Sequence, residues 1–470
     1  DQAATEDQPF AFDVPAGVFG DADVGDSLVL TAGLADGSPL PSWLWFDGAR
    51  FGGTPLNADV GSYRIRLTAT DGAGAAASDD FQVVVANVND APVIAHAMKQ
   101  QMFEAGTRFS FAIPPGTFAD EDAGDTLTIA AASAGGDALP AWLRFDPGTA
   151  TFSGMTSSRL NGFWPIELTA TDASGASVST DFGLVIYAQE GAFVRGDARD
   201  NILFGGIGDE KLEAKGGNDV LFGGLGNDTM KGGQGNDILQ GGEGNDALKG
   251  GNGRELLDGG NGDDTIVAGT GSDLIVGGRG NDTIRTGSGS DVILFNRGDG
   301  ADTVIGDGRG DNTLSLGGGI RAGDLSLSKA GKDLIVVAGE GDRIVLKDWY
   351  GGKHDVLNLQ IIEDASAEFD DRRVRAFDFA GLARAFDAAR MESPGLTSWA
   401  LTNALMQHHL WSSDDVAFGG DLASWYAAKG TFAGMSVAAA QEAIGAPGFG
   451  REAHALAPFA GLQEGLLKLA

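Results

Sequence analysis

The sequence predicts a mostly β protein: two β-sandwiches, a parallel β-roll with a β cap, and a small C-terminal helical region. Three observations predict it. Ten nine-residue repeats run in unbroken phase from Gly205 to Leu294, two related segments of roughly 90 residues precede them, and beyond Ala365 the apolar spacing changes to three and four. The expected order is a sandwich over 1–90, a second over 91–190, the roll over 191–318, its cap over 319–365 and helices over 366–470.

The sandwiches are read from duplication and alternation. Leu40-Pro-Ser-Trp43-Leu is echoed by Leu139-Pro-Ala-Trp142-Leu, and Tyr63 to Asp71 by Trp164 to Asp172. Each copy closes on an alternating apolar run, Phe81 to Val85 and Phe182 to Ile186, and turn residues separate the runs. Trp43 and Trp142 recur at the same place in both copies, which predicts core plugs, whereas Trp45 has no aromatic counterpart and is predicted exposed. The second copy opens differently, on Met98-Lys-Gln-Gln-Met-Phe103. Asp21, Asp23 and Asp26, and their counterparts Asp120, Asp122 and Asp125, form a D-x-D-x-G-D loop that lacks the twelfth-position Glu of an EF-hand. These loops, the Thr-Asp ends at Asp71 and Asp172, and the linker Asn87 to Asp90 are candidate calcium ligands of a second class.

In the repeats the eighth position is always large and apolar, from Leu212 through Met230 to Ile293. The sixth is Asp except at Glu210 and Glu255. A glycine-rich half reaches φ > 0 and turns sharply; the other half is a short strand whose aliphatic residue points inward. Successive repeats then lie on opposite sides of a flattened coil, each stacked on the repeat two places away. Outward carbonyls, as at Gly224, Gly226, Gly233, Gly235, Gly242, Gly244, Gly260, Gly262, Gly278 and Gly280, combine with one carboxylate from each of two stacked turns. That makes an all-oxygen cage suited to calcium. The expected pairs are Asp219/Asp237, Asp228/Asp246, Asp246/Asp264, Asp264/Asp282 and Asp273/Asp291, with Asp302 continuing the series. Several calcium ions are therefore expected, and binding and folding should be one event. Glu is one methylene too long for a cage sized for Asp, and Arg254 sets a positive charge beside Glu255, so sites sharing Glu210 or Glu255 should be weak or empty.

After the repeats, strand-like runs at Leu325–Leu327, Leu334–Val337, Ile344–Leu346 and Val356–Ile362 predict the cap. Phe377–Met391, Leu396–Leu410 and Ser436–Ile444 read as helices, which would place His408 and His409 on a helix with their rings diverging. From Trp411 on the tail lies outside the calcium phase, so its removal is expected to spare calcium binding.

Composition narrows the function. With 32 Lys and Arg against 66 Asp and Glu the net charge is −34, which excludes nucleic acid as a natural partner and suits a divalent-cation binder. There is no cysteine and no run of 18 apolar residues. No catalytic constellation occurs, and an enzyme is not expected. Three Arg-Gly-Asp tripeptides flank the array, where Gly-Asp is common currency, so an integrin ligand is not expected. The opening DQAATEDQPF reads as the interior of a longer polypeptide.

The nonapeptide resembles the calcium-binding repeat of RTX exoproteins, and residues 5–188 resemble tandem dystroglycan-type cadherin-like (Ig-type) modules, with Asn87-Val-Asn89-Asp90-Ala-Pro92 as the junction. The resemblance implies a secreted, extracellular or cell-surface bacterial protein. It would be exported by type I secretion machinery on an uncleaved signal near Ala455 to Ala470, and its Asp348-Trp349-Tyr350 turn would belong to the capping segment. It further implies an adhesin or biofilm-matrix protein whose partner is a cell-surface or matrix polysaccharide or protein. A calcium-dependent polysaccharide-binding module, and the non-catalytic tail of a larger secreted enzyme or toxin, are the alternatives.

Overall fold

The computed structural model describes residues 1–21, 27–122, 124–339, 341–362, 374–411 and 419–449. The chain divides into two units. The first comprises Asp1–Gln101, Phe109–Gly154 and Trp164–Leu184, and carries the first sandwich and most of the second, whose Met102–Arg108, Met155–Phe163 and Val185–Tyr187 belong to the second unit. In the first copy a four-stranded sheet runs in the spatial order Gln2–Thr5, Ala76–Ala86, Gly61–Thr70, Val29–Leu34, and a three-stranded sheet in the order Phe10–Asp13, Arg50–Gly53, Leu44–Phe46. Their facing side chains, Phe51, Ile65, Val83 and Trp43, form the core. The second copy repeats both sheets, and its divergent lead still forms the strand Gln101–Glu104. Trp43 is buried and Trp45 is 51% exposed, as predicted.

The second unit holds the roll. Two parallel sheets alternate along the chain, and from Phe193 to Leu294 the paired strands are 18 residues apart, the spacing growing to 20 and 21 at Thr283/Thr303 and Val292/Thr313. Leu221 is in register with Leu239, then Leu257, Ile275 and Ile293, while Leu212 is in register with Met230, Leu248, Ile266 and Ile284. These eighth-position residues meet between the sheets in a single apolar column, none more than 2% exposed. The cap continues both sheets. Arg343–Leu346, Asp333–Val337, Ser326–Ala330 and Ser398–Ala400 extend one; Val356–Ile362, Val374–Asp378 and His409–Trp411 extend the other.

The seventh position sets a second, 18-residue period that the nine-residue reading passed over. In one sheet it is Lys211, Thr229, Ala247 and Thr265, all exposed. In the other it is Val220, Ile238, Leu256, Leu274 and Val292, none more than 4% exposed. The first is the exposed sheet and the second the covered sheet, because the chain after the cap returns to lie on it. The helices are α1 (Phe379–Glu392), α2 (Thr402–Leu405), α3 (Gly420–Lys429) and α4 (Val437–Gly445). α1 packs Phe379, Leu382 and Phe386 into the cap. α3 and α4 supply Leu422, Tyr426 and Ile444 to the outer apolar face of the covered sheet. A Cβ on Gly317 would overlap Ala427, so α3 rests directly on the backbone of that strand.

Two sequence expectations are corrected here. Residues 396–410 form one helical turn, α2, between two short strands, because both sheets still offer an open edge that Ser398–Ala400 and His409–Trp411 fill. His409 is consequently on a strand. The tail also packs on the calcium domain, with α3 and α4 covering an apolar outer face of the repeats. The proposed secretion segment, Ala455 to Ala470, lies outside the described residues.

Covering an aliphatic side chain stabilises by roughly 1.5–3 kcal/mol. Leu422→Ala should cost about 2–4 kcal/mol in denaturant titration of the calcium-loaded protein, while Thr265→Ala on the exposed sheet should stay within about 0.5 kcal/mol. Equal effects would contradict the two-faced roll.

Candidate metal centre

The turns stack into two edges. On one lie Glu210, Asp228, Asp246, Asp264, Asp282 and Asp302; on the other Asp219, Asp237, Glu255, Asp273, Asp291 and then Asn312. Each sixth-position Asp is buried, and Oδ1 accepts the backbone N–H of the residue one step back. Asp228 N donates to Asp246 at 2.7 Å, Asp246 N to Asp264 at 2.7 Å, Asp264 N to Asp282 at 2.7 Å, and Asp282 N to Asp302 at 3.0 Å. Opposite, Asp219 N donates to Asp237 at 2.8 Å, Asp273 N to Asp291 at 3.0 Å, and Asp291 N to Asn312 at 2.8 Å. The structure thus brings together all five expected pairs, and adds Asp282/Asp302 and Asp291/Asn312.

The remaining oxygens identify the chemistry. Oδ2 of Asp219, Asp228, Asp237, Asp246, Asp264, Asp273, Asp282 and Asp291 is buried without a hydrogen-bond partner. A buried, unpaired anionic oxygen is costly, and here the cost recurs at every turn. Burial pushes the carboxyls up, to about 6 at Asp219 and Asp246, about 7 at Asp228 and Asp237, and about 8 at Asp264, where neighbouring Asp282 and Asp246 add repulsion. The turns leave room for nothing but backbone: Gly242 has φ +115°, and a Cβ there would overlap the carbonyl oxygen of Gly224. The other predicted carbonyl donors, Gly226, Gly233, Gly235, Gly244, Gly260, Gly262, Gly278 and Gly280, share the left-handed conformation. The arrangement fits a hard cation with oxygen ligands, which the eight unpartnered Oδ2 atoms would help hold.

A second ladder, at position five, runs the opposite way and needs no metal. Asn227 N donates to Asp209 Oδ1, Asn245 N to Asn227, Asp263 N to Asn245 and Asn281 N to Asp263, all at 2.7–2.8 Å.

The two Glu positions behave differently from one another. Glu210 opens its edge, and its Oε1 accepts from Gly191 N at 2.9 Å. Glu255 interrupts its edge: both carboxylate oxygens are buried and unpartnered, and burial beside Asp273 drives its carboxyl strongly upward. Arg254 was expected to bring positive charge to that cage. Its guanidinium instead donates to the Ala446 carbonyl at 2.8 Å, at the C-terminal end of α4, where the helix dipole favours a cation.

In the first unit, carboxylate oxygens of Asp120, Asp122 and Asp125 lie within 4.8 Å of one another. The linker between the sandwiches threads into this loop. Asn87 Nδ2 and the Asp90 N–H donate to Asp122 at 2.7 and 2.8 Å, and Asn89 Nδ2 donates to Asp172 at 2.8 Å. Glu6, which sequence reasoning missed, is 1% exposed. Its Oε2 accepts from Val88 N, and its Oε1, like Asp120 Oδ2, is buried and unpartnered. The second copy carries Ala105 at the equivalent place, so the duplication gives no signal for Glu6. The counterpart loop places Asp21 at an exposed position, and Asp23 and Asp26 lie outside the described residues. Asp71 caps its own turn, accepting from Ala73 N and Ala75 N. Of the three Arg-Gly-Asp tripeptides, that ending at Asp299 has its Asp buried and its Arg297 and Gly298 exposed.

Two outcomes follow. The raised carboxyls mean that the metal-free folded roll holds more protons than the unfolded chain between roughly pH 4 and 8, so its stability falls as pH rises through that window. In chelator, β structure by circular dichroism should be least at pH 8 and increase on acidification toward pH 5, while the calcium midpoint rises; the opposite slope would overturn the desolvation argument. Glu255→Asp should add about one to two bound ions by equilibrium dialysis, and an unchanged count would show the Glu cages already filled.

Residues 1–86 and 91–187 match the family model He_PIG, described as "Putative Ig domain". Five overlapping segments between residues 193 and 293 match the RTX calcium-binding nonapeptide repeat. No curated protein matches the chain significantly. Among solved structures it is similar to an endo-fucoidan hydrolase of glycoside hydrolase family 107 (20% identity over 40% of this chain and 27% of that one, TM-score 0.19). It is also similar to the human desmocollin-1 ectodomain (15% over 42% of each chain, TM-score 0.29) and to human mucin-like protocadherin (14% over 40% of this chain and 95% of that one, TM-score 0.30). The chain thus spans less than half the length of the first two. Among the described residues no helix is long and apolar enough to cross a membrane. The chain carries a tandem of Ig-type domains followed by a calcium-binding RTX β-roll, the repeat of secreted RTX-type proteins.

Proposed function

We propose that this chain is the calcium-folded portion of a secreted RTX adhesin or biofilm-matrix protein. The row of buried, unpartnered Oδ2 atoms is the observation that supports this reading most directly. Calcium supplies the positive charge that those oxygens lack, and does so where calcium is plentiful. In the low calcium of a cytosol the ladder carboxylates repel one another and the array stays open, a form suited to passage through a type I exporter. Outside, the same carboxylates become ligands and the array closes. The Asp120, Asp122 and Asp125 loop, with Glu6 and Asp172, is the second calcium-binding region in this reading, and metal there stiffens the linker between the Ig-type domains. Both matched families are non-catalytic, which favours a binding role over an enzymatic one. A polysaccharide-binding module is the second reading.

Fluorescently labelled full-length chain, added to a calcium-replete biofilm, should be retained and should be released by chelator. In the same samples, circular dichroism should report loss of β structure on chelation. Folding that is indifferent to chelator overturns the calcium mechanism; calcium-dependent folding without retention overturns the adhesin reading alone.

A further inference from the structure

The covered sheet has a flaw in its packing. Its ninth-position row reads Phe204, Phe222, Gln240, Asp258, Val276, Leu294 in register, so two polar residues interrupt an apolar row under the C-terminal helices. Asp258 is 8% exposed, and burial pushes its carboxyl up to about 7, a shift that the neighbouring Gln240 carboxamide opposes. Two aliphatic residues here would seal α3 to the sheet as they do at Val276 and Leu294. Instead the site opens into a cavity of about 690 Å³, a volume typical of small-ligand sites.

The shape of that cavity is set by the repeat. Its floor is the stacked series Gly224, Gly242, Gly260 and Gly278, in register on adjacent strands. Four strands at about 4.8 Å spacing give a side-chain-free trough about 14 Å long. Gln240 and Asp258 form one wall with the Phe222 ring at the end; Glu243, Asn261 and Arg279 form the other. Tyr426 and Thr431 close it from the helical side.

We propose that this trough binds a neutral oligosaccharide. Its walls mix carboxamides, carboxylates and guanidinium groups, so they offer both donors and acceptors, and Asn261 Nδ2 already donates to Glu243 at 2.7 Å. A polyol chain, each hydroxyl of which both donates and accepts, satisfies such a wall. The acids of the lining, Glu243, Asp258 and Asp299, are matched by Arg279, Arg297 and Lys429, so the trough has no net positive charge to recruit phosphate, sulfate or uronate. The Phe222 face supplies the apolar contact that a sugar ring covers. The proposal requires the calcium-folded roll but not the adhesin reading.

The test uses the full chain in millimolar calcium, with cellohexaose, laminarihexaose, mannohexaose and xylohexaose as neutral probes and a hexagalacturonate as the acidic one, by isothermal titration calorimetry. At least one neutral probe should bind. Gln240→Leu with Asp258→Leu restores the apolar row, so this variant should fold at least as well as the parent and lose that binding at least tenfold. Lys231→Ala with Lys249→Ala, on the exposed sheet, should bind as the parent does. Failure of every neutral probe, binding that survives the double leucine variant, or binding of the acidic probe alone each overturns the proposal. Circular dichroism of the same samples separates these outcomes from a failure of calcium folding.

Discussion

Each turn of the roll buries a carboxylate oxygen that no donor in the described chain reaches, and most of the architecture follows from that constraint. Oδ1 is spent on a backbone N–H one step away, which fixes the stacking register. Oδ2 is left for a cation. Glycine must flank it, since a Cβ would collide with the stacked carbonyl beneath. The apolar column between the sheets is one side chain deep per turn, too little to offset repeated burial of unpaired charge. The metal is therefore part of the core rather than an addition to it.

The position-five ladder complements this. Its Asx side chains cap backbone N–H groups without metal and run counter to the carboxylate ladder, so each turn is tied in both directions. Where Arg254 and Glu255 depart from the pattern, the guanidinium of Arg254 ties the turn to the end of α4. The departure from the repeat is thus also the place where the tail is held.

Sequence reading recovered the parts that rest on a short period. The eighth-position aliphatics and sixth-position acids located the column, the edges and their pairing, because each is a strict nine-residue signal. The two-faced character was legible too, but at a period of 18: Val220, Ile238, Leu256, Leu274 and Val292 alternate with Lys211, Thr229, Ala247 and Thr265. Residues 396–410 misled because their apolar spacing suits a helix, while the open sheet edges decide otherwise. Glu6 was illegible because the residues it joins, Val88 and the Asp122 loop, are more than 80 positions away in sequence. The trough was hidden for the same reason, since its last wall is a helix met only after the chain doubles back.

The alternation of faces also constrains how such an array changes length over evolutionary time. Loss of a single nonapeptide would keep every glycine, acid and aliphatic in phase, yet it would exchange the two outer faces beyond the deletion. Lysine and threonine would turn under α3, and Ile, Leu and Val would turn to water. Loss of two adjacent repeats leaves both faces where they were. The heritable unit of this roll is therefore the pair, and gains and losses by duplication or recombination are tolerated in steps of 18 residues rather than nine.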